Sequence, residues 1–274
     1  MRKYFVNSDD FFYIMKTALP SVKKVKLIST GWTNFVYVAS SRRGKYIFRF
    51  PRNDFFSQAL IKECRFIEEL GGQNLSFRFP QLQLKYYKNK PYSMHRQLAG
   101  KSLSDCKLSK REKERLAKDV CLFMQQLQSF KPKMKLDTTS QFLENLSKVS
   151  GKGVGYDLTN HAPLIQSEKE GELVLSHGDL NPGNIIMKGG RMVGVLDFAF
   201  VSISSPLDDL ARLIGRSDES YFQPLKNAYE KAFKAEISDD EIKSLISVWD
   251  YVEEKYVDYI RREHPDIVLP EKFS

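Results

Sequence analysis

Between Ser176 and Phe200 the chain runs SHGDLNPGNIIMKGGRMVGVLDFAF, and few folds accommodate that succession of residue types. Residues 185–187 and 192–196 are short apolar runs. Lys188, Gly189, Gly190 and Arg191 between them are turn-forming, so the stretch predicts two short strands joined as a hairpin. Ahead of the hairpin, Asp179 and Asn184 stand five apart around Pro182 and Gly183, a spacing at which one turn can aim both side chains into a single cleft. The hairpin then returns Asp197 beside them. Asp, Asn, Pro and Gly are ordinary turn residues whatever a protein does. A plain turn does not account for His177, Asp179 and Asn184, then a hairpin, then Asp197 followed by Phe198.

Two carboxylates and an amide in one cleft suit the transfer of a phosphoryl group. That reaction asks little covalent chemistry of a protein; the work is to place a hydroxyl in line and to neutralise charge on phosphate oxygens. Magnesium does the neutralising with oxygen ligands, keeps several waters and takes only one or two carboxylates, a donor set that Asn184 and Asp197 match. Asp179 is left to orient the acceptor hydroxyl and to take its proton late, in the ionised form an ordinary aspartate has at neutral pH.

On these residues the chain resembles the aminoglycoside phosphotransferase and choline kinase superfamily, whose fold is similar to that of eukaryotic protein kinases. The resemblance implies that Asp179 is the catalytic base, that Asn184 and Asp197 bind magnesium, and that His177 is a buried brace of the catalytic loop. HGDLNPGN is similar to the antibiotic and small-molecule branch. Protein kinases usually carry Arg where Gly178 stands and Gly where Ala199 stands, so their activation machinery is not implied.

A chain of 274 residues with 42% hydrophobic and 28% charged residues is that of an ordinary globular protein of one or two domains with a sizeable core. Residues 1–10 hold no apolar run of the kind a secretory signal needs, and no later segment approaches a membrane span, so a cytoplasmic protein without membrane attachment is expected. Cys64, Cys106 and Cys121 lack metal-ligand spacing and predict three reduced thiols. His95, His161 and His264 likewise have no partner at metal-ligand spacing. A net charge of +9 invites a nucleic-acid reading, but no basic motif interleaved with aromatics appears. Residues 217–274 carry eight Lys and Arg against fourteen Asp and Glu, so the excess of positive charge lies wholly in the first 216. A basic front suits a phosphate-rich ligand and an acidic tail can steer a cationic one, although solvated helix faces give the same pattern.

Along the chain, residues 22–39 alternate loosely around Gly31, and residues 45–50 form a second strand pattern, together a hairpin with a glycine near its bend. In the resembled family that bend covers the nucleotide phosphates, which implies contacts from Gly31, Thr33 and Asn34; a plain hairpin turn with a packed Trp32 explains the same residues. YIFRFPR, residues 46–52, puts Tyr46, Phe48 and Phe50 on one face and Ile47 and Arg49 on the other. This strand also looks like the 2''-phosphotransferase branch. Residues 57–70 predict a helix ending at Gly71 and Gly72, with Glu63 inside the apolar stripe of Leu60, Ile61, Cys64, Ile67 and Leu70. A carboxylate there is costly unless a cation meets it, and Arg49 is the natural partner, as a structural bridge or as the phosphate-holding pair of kinase-like enzymes with Arg in place of the usual strand Lys. Residues 82–87 and 91–98 predict two further strands around Lys88, Asn89 and Lys90, completing about five strands with one helix. The resemblance implies that the purine bonds to backbone near Arg96 to Leu98.

Ser109 to Glu112 is a capping box opening a helix striped with Leu116, Val120, Phe123, Leu127 and Phe130. Residues 151–155, with three glycines, predict a loop. Ser205, Pro206, Leu207 and Asp208 read as an N-cap, a proline at the first helical position and an acid in the first turn, so capping explains Asp208, while the family resemblance implies that Asp208 or Asp209 also braces the catalytic loop. Ser238 to Glu241 is another capping box, ahead of a long helix that buries Leu245, Ile246, Trp249, Val252, Tyr256 and Ile260 and carries an acidic margin.

The expectation is a two-lobed α+β fold of protein-kinase type, with a small antiparallel-sheet lobe over residues 1–98 for nucleotide and a mostly helical lobe over 99–274 for catalysis and acceptor. The expected function is magnesium-dependent transfer of the γ-phosphate of ATP or GTP to a hydroxyl of a small molecule by a monomer, with an aminoglycoside as the leading acceptor. Glu219, Asp250, Glu253 and Glu254 are candidate contacts to a cationic acceptor, chosen on charge and position. A kinase of choline, a fructosamine or a macrolide, and a nucleotide-binding pseudokinase, are the alternatives.

Overall fold

The strand that alternates aromatic and polar residues organises the first half of the fold. In the computed structural model, which describes residues 8–28, 33–150, 157–170 and 172–263, it is β3 (Gly44–Pro51). It lies at the centre of an antiparallel sheet ordered β1-β2-β3-β5-β4, with β1 (Val22–Ile28), β2 (Asn34–Ser41), β4 (Gln83–Tyr87) and β5 (Lys90–Arg96). Phe48 and Phe50 face one side, where they join Phe11, Ile14 and Met15 of α1 (Ser8–Ala18) in an apolar cluster, with the rings of Phe11 and Phe50 4.7 Å apart. Arg49 faces the other side, toward α2 (Asp54–Leu70). Two helices therefore flank the sheet rather than the single one expected. Phe11, Ile14, Met15 and Leu19 already have helical spacing in the sequence, a signal diluted by the exposed Phe12 and Tyr13 between them. The α2 helix starts three residues before its expected first turn, because Asn53 caps it by accepting from the Phe56 N–H at 3.0 Å.

Among the described residues the chain divides into two compact units, one made of the chain up to Gly71, Pro80–Gln97 and the chain from Tyr259, the other of Gly72–Phe79 and Leu98–Asp258. A single boundary after residue 98 thus misplaces Leu98 and two longer segments. Gly72–Phe79 belongs to the second unit for a physical reason: Phe77 packs edge-on against Phe123, Phe79 does so against Phe198, and the Arg78 backbone pairs with Val193 and Val195 at 3.0 Å each. Gly194 permits this approach, since a Cβ there would stand 2.7 Å from the Arg78 carbonyl oxygen.

The second unit is mostly helical. After β6 (Lys101–Ser102) come α3 (Lys110–Ser129), α4 (Thr139–Ser150) and α5 (Ala162–Glu170), then β7 (Val174–Ser176), β8 (Ile185–Lys188), β9 (Arg191–Val195) and β10 (Ser202–Ser204), and last α6 (Asp208–Gly215), α7 (Phe222–Phe233) and α8 (Asp239–Glu263), of which the end falls in the first unit. The capping box of Ser109 and Glu112 opens α3, which buries Leu116, Val120, Phe123 and Leu127. Ser238 and Glu241 exchange the reciprocal bonds of a second box ahead of α8. The β8–β9 hairpin lies in a sheet ordered β6-β8-β9, and β7 pairs with β10. Asp119 of α3 fastens the hairpin turn, accepting from Arg191 Nε at 2.8 Å, Arg191 Nη2 at 2.5 Å and the Met192 N–H at 3.2 Å. No helix among the described residues is long and apolar enough to cross a membrane. Cys64, Cys106 and Cys121 are free thiols. Gly31, Trp32, residues 151–155 and His264 lie outside the described residues.

Candidate active site

The loop between β7 and β8 takes its shape from three local devices. Gly178 adopts φ +74°, and a Cβ there would lie 2.0 Å from the Phe200 carbonyl oxygen, so the loop can turn under residue 200 only with glycine at this point. Asn181 folds an Asx turn, its Oδ1 accepting from the Gly183 N–H at 2.8 Å and its Nδ2 donating to the Asp179 carbonyl at 3.1 Å. His177 is completely buried; its Nε2 donates to the Leu196 carbonyl at 2.9 Å and its Nδ1 accepts from the Asp179 N–H at 3.2 Å. Only the neutral ring satisfies both bonds, and burial, the largest influence, pushes this histidine down to about 4.

Those bonds bring the three oxygen-bearing residues of the motif together. Asn184 Nδ2 donates to the Asp179 carbonyl at 2.9 Å and to Asp179 Oδ2 at 3.0 Å, which turns the Asn184 Oδ1 away from Asp179. The Leu196 N–H donates to the Asn184 carbonyl at 2.8 Å and sets Asp197 beside it. Asp197 itself holds φ +63°, a left-handed conformation that costs an L-residue roughly 1 kcal/mol and that surrounding structure must impose. Asp179 keeps 33% of its side chain exposed. Burial raises its carboxyl above the ordinary range; the Arg212 guanidinium opposes the rise and Asp197 adds to it. Among the described residues no three His, Cys, Asp or Glu side chains gather into a metal-binding group. One carboxylate and one amide oxygen, at Asp197 and Asn184, are a donor set that fits a hard cation carrying its own waters.

Behind the loop lies α6, and here the structure corrects the expectation for Asp208. The helix begins at Asp208 with no side-chain cap, so Ser205 is not its N-cap. Asp208 is fully buried and accepts from Trp249 Nε1 at 2.8 Å and from Ser176 Oγ at 3.4 Å; it faces donors on other elements instead of its own first turn, and burial pushes its carboxyl up to about 6. The neighbouring Asp209 holds the loop, accepting from Ser176 Oγ at 2.9 Å and from the N–H groups of His177 and Gly178 at 2.8 and 3.0 Å. Arg212, one turn on, places Nη2 3.7 Å from Asp179 Oδ1 and lies 3.4 Å over the Trp249 ring. Sequence reading passed over Arg212, although Asp208, Arg212 and Arg216 at successive four-residue steps mark one charged stripe.

In the first unit Arg49 and Glu63 form a buried ion pair, with Ser93 Oγ accepting from Arg49 Nε at 3.4 Å. It is not a surface bridge. Burial and the nearby Arg49 push His95 down to about 3, and burial together with Glu63 raises Cys64 to about 12. Asn34 is buried at the start of β2 and donates to Thr33 Oγ1 at 2.8 Å, while the Thr33 carbonyl accepts from the Arg52 N–H at 3.1 Å. Arg96 ends β5 exposed, and Leu98 is half-buried in the second unit near Gly194. Of the four acids offered for a cationic acceptor, Glu253 is ion-paired with Arg216, Glu254 meets Lys255 at 3.0 Å, and Glu219 and Asp250 are exposed.

A sequence model of the phosphotransferase enzyme family matches residues 24–241. Solved structures with the same fold include the GDP complex of wild-type aminoglycoside 2'-phosphotransferase-IIIa, with a TM-score of 0.72 at 20% identity over 95% of each chain. An aminoglycoside-3'-phosphotransferase of type VIII gives a TM-score of 0.71 at 12% identity over 89% of this chain and 98% of that one. The macrolide 2'-phosphotransferase MphH from Brachybacterium faecium gives 0.62 at 13% identity over 94% and 95%. At these identities the likeness is one of fold, a kinase-like arrangement of sheet and helices. A search of curated proteins found no match.

Proposed function

We propose, from the premise that this chain belongs to the phosphotransferase enzyme family, that it transfers the γ-phosphate of ATP or GTP to a hydroxyl of a small molecule, with an aminoglycoside as the leading acceptor. The observation that carries this reading is the Asn184 amide bound to both the carbonyl and Oδ2 of Asp179, with Asp197 next to it. In it, Asp179 orients the acceptor hydroxyl through a carboxylate that is still partly open to solvent and takes the proton late, as the phosphoryl group leaves the nucleotide. Asn184 fixes that carboxylate, and its amide oxygen together with the Asp197 carboxylate would hold the cation. Magnesium, when bound, neutralises charge on the phosphate oxygens. His177 holds the loop neutral and rigid from beneath. Arg49, oriented by Glu63 and Ser93, is assigned to the nucleotide phosphates, as are Thr33 and Asn34; the backbone near Arg96 and Leu98 is assigned to the purine.

A macrolide or another metabolite is the second reading for the acceptor. It is favoured by the pairing of Glu253 with Arg216 and of Glu254 with Lys255, which leaves less unbalanced negative charge for a polycation than the sequence suggests. The test is release of nucleoside diphosphate when the protein is incubated with magnesium, ATP or GTP, and a panel of aminoglycosides, macrolides, choline and sugars. Release stimulated by one drug class identifies the acceptor, and release stimulated by none of the panel defeats the proposal.

A further inference from the structure

We propose that Arg212 is a positioning residue for Asp179, a cation held flat on the Trp249 indole so that it fixes the aspartate carboxylate from the side opposite Asn184. The two oxygens of that carboxylate have different neighbours: Asn184 Nδ2 lies 3.0 Å from Oδ2, and Arg212 Nη2 lies 3.7 Å from Oδ1. The first is a hydrogen bond; the second is too long for one and acts through charge alone, which leaves the Oδ1 lone pairs open to a hydroxyl. Arg212 is buried, with its guanidinium 3.4 Å from the Trp249 ring centroid, and a planar cation stacked on an aromatic face has little freedom to rotate. Trp249 is fixed in turn by its Nε1–H, which donates to Asp208 Oδ1 at 2.8 Å. Asp208, Trp249, Arg212 and Asp179 thus form a continuous chain of supports from two helices to the loop.

The other groups that act on Asp179 do not duplicate this one. His177 contacts its backbone N–H, Asp197 is a like charge that disfavours the ionised carboxylate, and Arg216 contributes last among the charges and is ion-paired with Glu253. A lysine at position 212 would supply the charge without the flat stacking surface, so the arginine has a geometric as well as an electrostatic part. In a phosphoryl transfer whose proton moves late, a nearby cation that lowers the basicity of the carboxylate costs little, whereas a misdirected carboxylate costs much.

The inference rests on the reading of Asp179 as the group that meets the acceptor, and the experiment separates the two. Arg212→Gln and Arg212→Lys are compared with the unaltered protein by thermal unfolding and by kcat and KM for nucleotide and acceptor. The expected result for folded Arg212→Gln is a kcat at least about tenfold lower with both KM values within about twofold, partial recovery in Arg212→Lys, and recovery of Arg212→Ala by millimolar guanidinium. A folded Arg212→Gln protein with unaltered kcat overturns the proposal. Should the Gln variant not fold, Trp249→Leu, which removes the stacking surface and keeps the charge, is read in the same way. If the unaltered protein phosphorylates nothing on the panel, the functional reading has failed, and crystal structures of the unaltered and Arg212→Gln proteins still decide the positioning claim. An Asp179 carboxylate that swings off Asn184 in the variant supports it, and one that stays in place refutes it.

Discussion

Asp179 is the residue on which the proposed chemistry turns, and its surroundings hold it at three points. Its backbone N–H is held by His177, its carbonyl by Asn181 and Asn184, and its carboxylate by Asn184, so the side chain is preorganised before any ligand arrives. Asp179→Ala is therefore expected to lower turnover at least about a hundredfold while the melting temperature stays near that of the unaltered protein. Near-normal turnover would remove Asp179 from the reaction. Asp209 has the opposite profile. It accepts from Ser176 and from the backbone N–H groups of His177 and Gly178, the second of which also reaches Ser176 Oγ at 3.1 Å, so Asp209→Ala strands the buried His177 N–H. Urea unfolding of that variant should show a loss of about 3 kcal/mol. The residue types at positions 179, 184 and 197 were legible in the sequence because they lie close together along the chain. Arg212 was not, because its partners Asp179 and Trp249 are distant in the sequence and only the folded chain brings them to it.

At the scale of elements, the hairpins and capped helices were readable because their signals are local: turn residues between apolar runs, and a serine three residues ahead of a glutamate. The limit of that reading shows at α6, where Ser-Pro-Leu-Asp has the composition of a helix start but the helix begins at Asp208, whose carboxylate binds Trp249 and Ser176. Helix α1 was missed for a related reason, since the sequence does not show which apolar residues of a run will face the sheet. Two predictions belong here. Gly178→Ala forces a Cβ to within 2.0 Å of the Phe200 carbonyl at a residue with φ +74°, so an unfolding titration should show a loss of at least about 2 kcal/mol. Lys88 opens the β4–β5 turn at φ +46°, where asparagine is better tolerated than lysine, and Lys88→Asn should stabilise the protein by about 0.5 kcal/mol in the same assay. A Gly178→Ala protein as stable as the parent would show that the loop relaxes, and loss of stability in Lys88→Asn would show that the Lys88 contact with Asp10 outweighs the backbone strain.

At the scale of the whole molecule, burial of titratable groups predicts how stability responds to acid. His95 and His177 are pushed down to about 3 and about 4 from an ordinary 6.5, so the stability they contribute is complete above 6.5 and is lost as pH falls toward those folded values. Asp208, pushed up to about 6, has the opposite sign, its contribution being present below 3.8 and lost as pH rises through 6. Between pH 7 and pH 5 each histidine costs about 2 kcal/mol and Asp208 returns about 1, with a further return from Asp179, Asp209 and Glu168, whose carboxyls burial also raises, so the histidines are the groups that make acidification destabilising. Denaturant unfolding at the two pH values should show this, and in His95→Gln the difference between them should shrink by about 2 kcal/mol. An unchanged difference would mean that the His95 ring takes up its proton alike in the folded and unfolded chain, without the effect of burial. The same scale separates what the sequence determined from what required the fold. Residue types and short-range spacing determined the kinase-like class, the loop and hairpin, and the trio Asp179, Asn184 and Asp197, because backbone geometry over a few residues follows from local chemistry. Tertiary structure alone decided that Asp209 rather than Asp208 holds the loop, that residues 72–79 join the helical unit, and that a stacked arginine faces Asp179. Those outcomes depend on which distant side chains are buried together, and burial is settled by the packing of the chain as a whole.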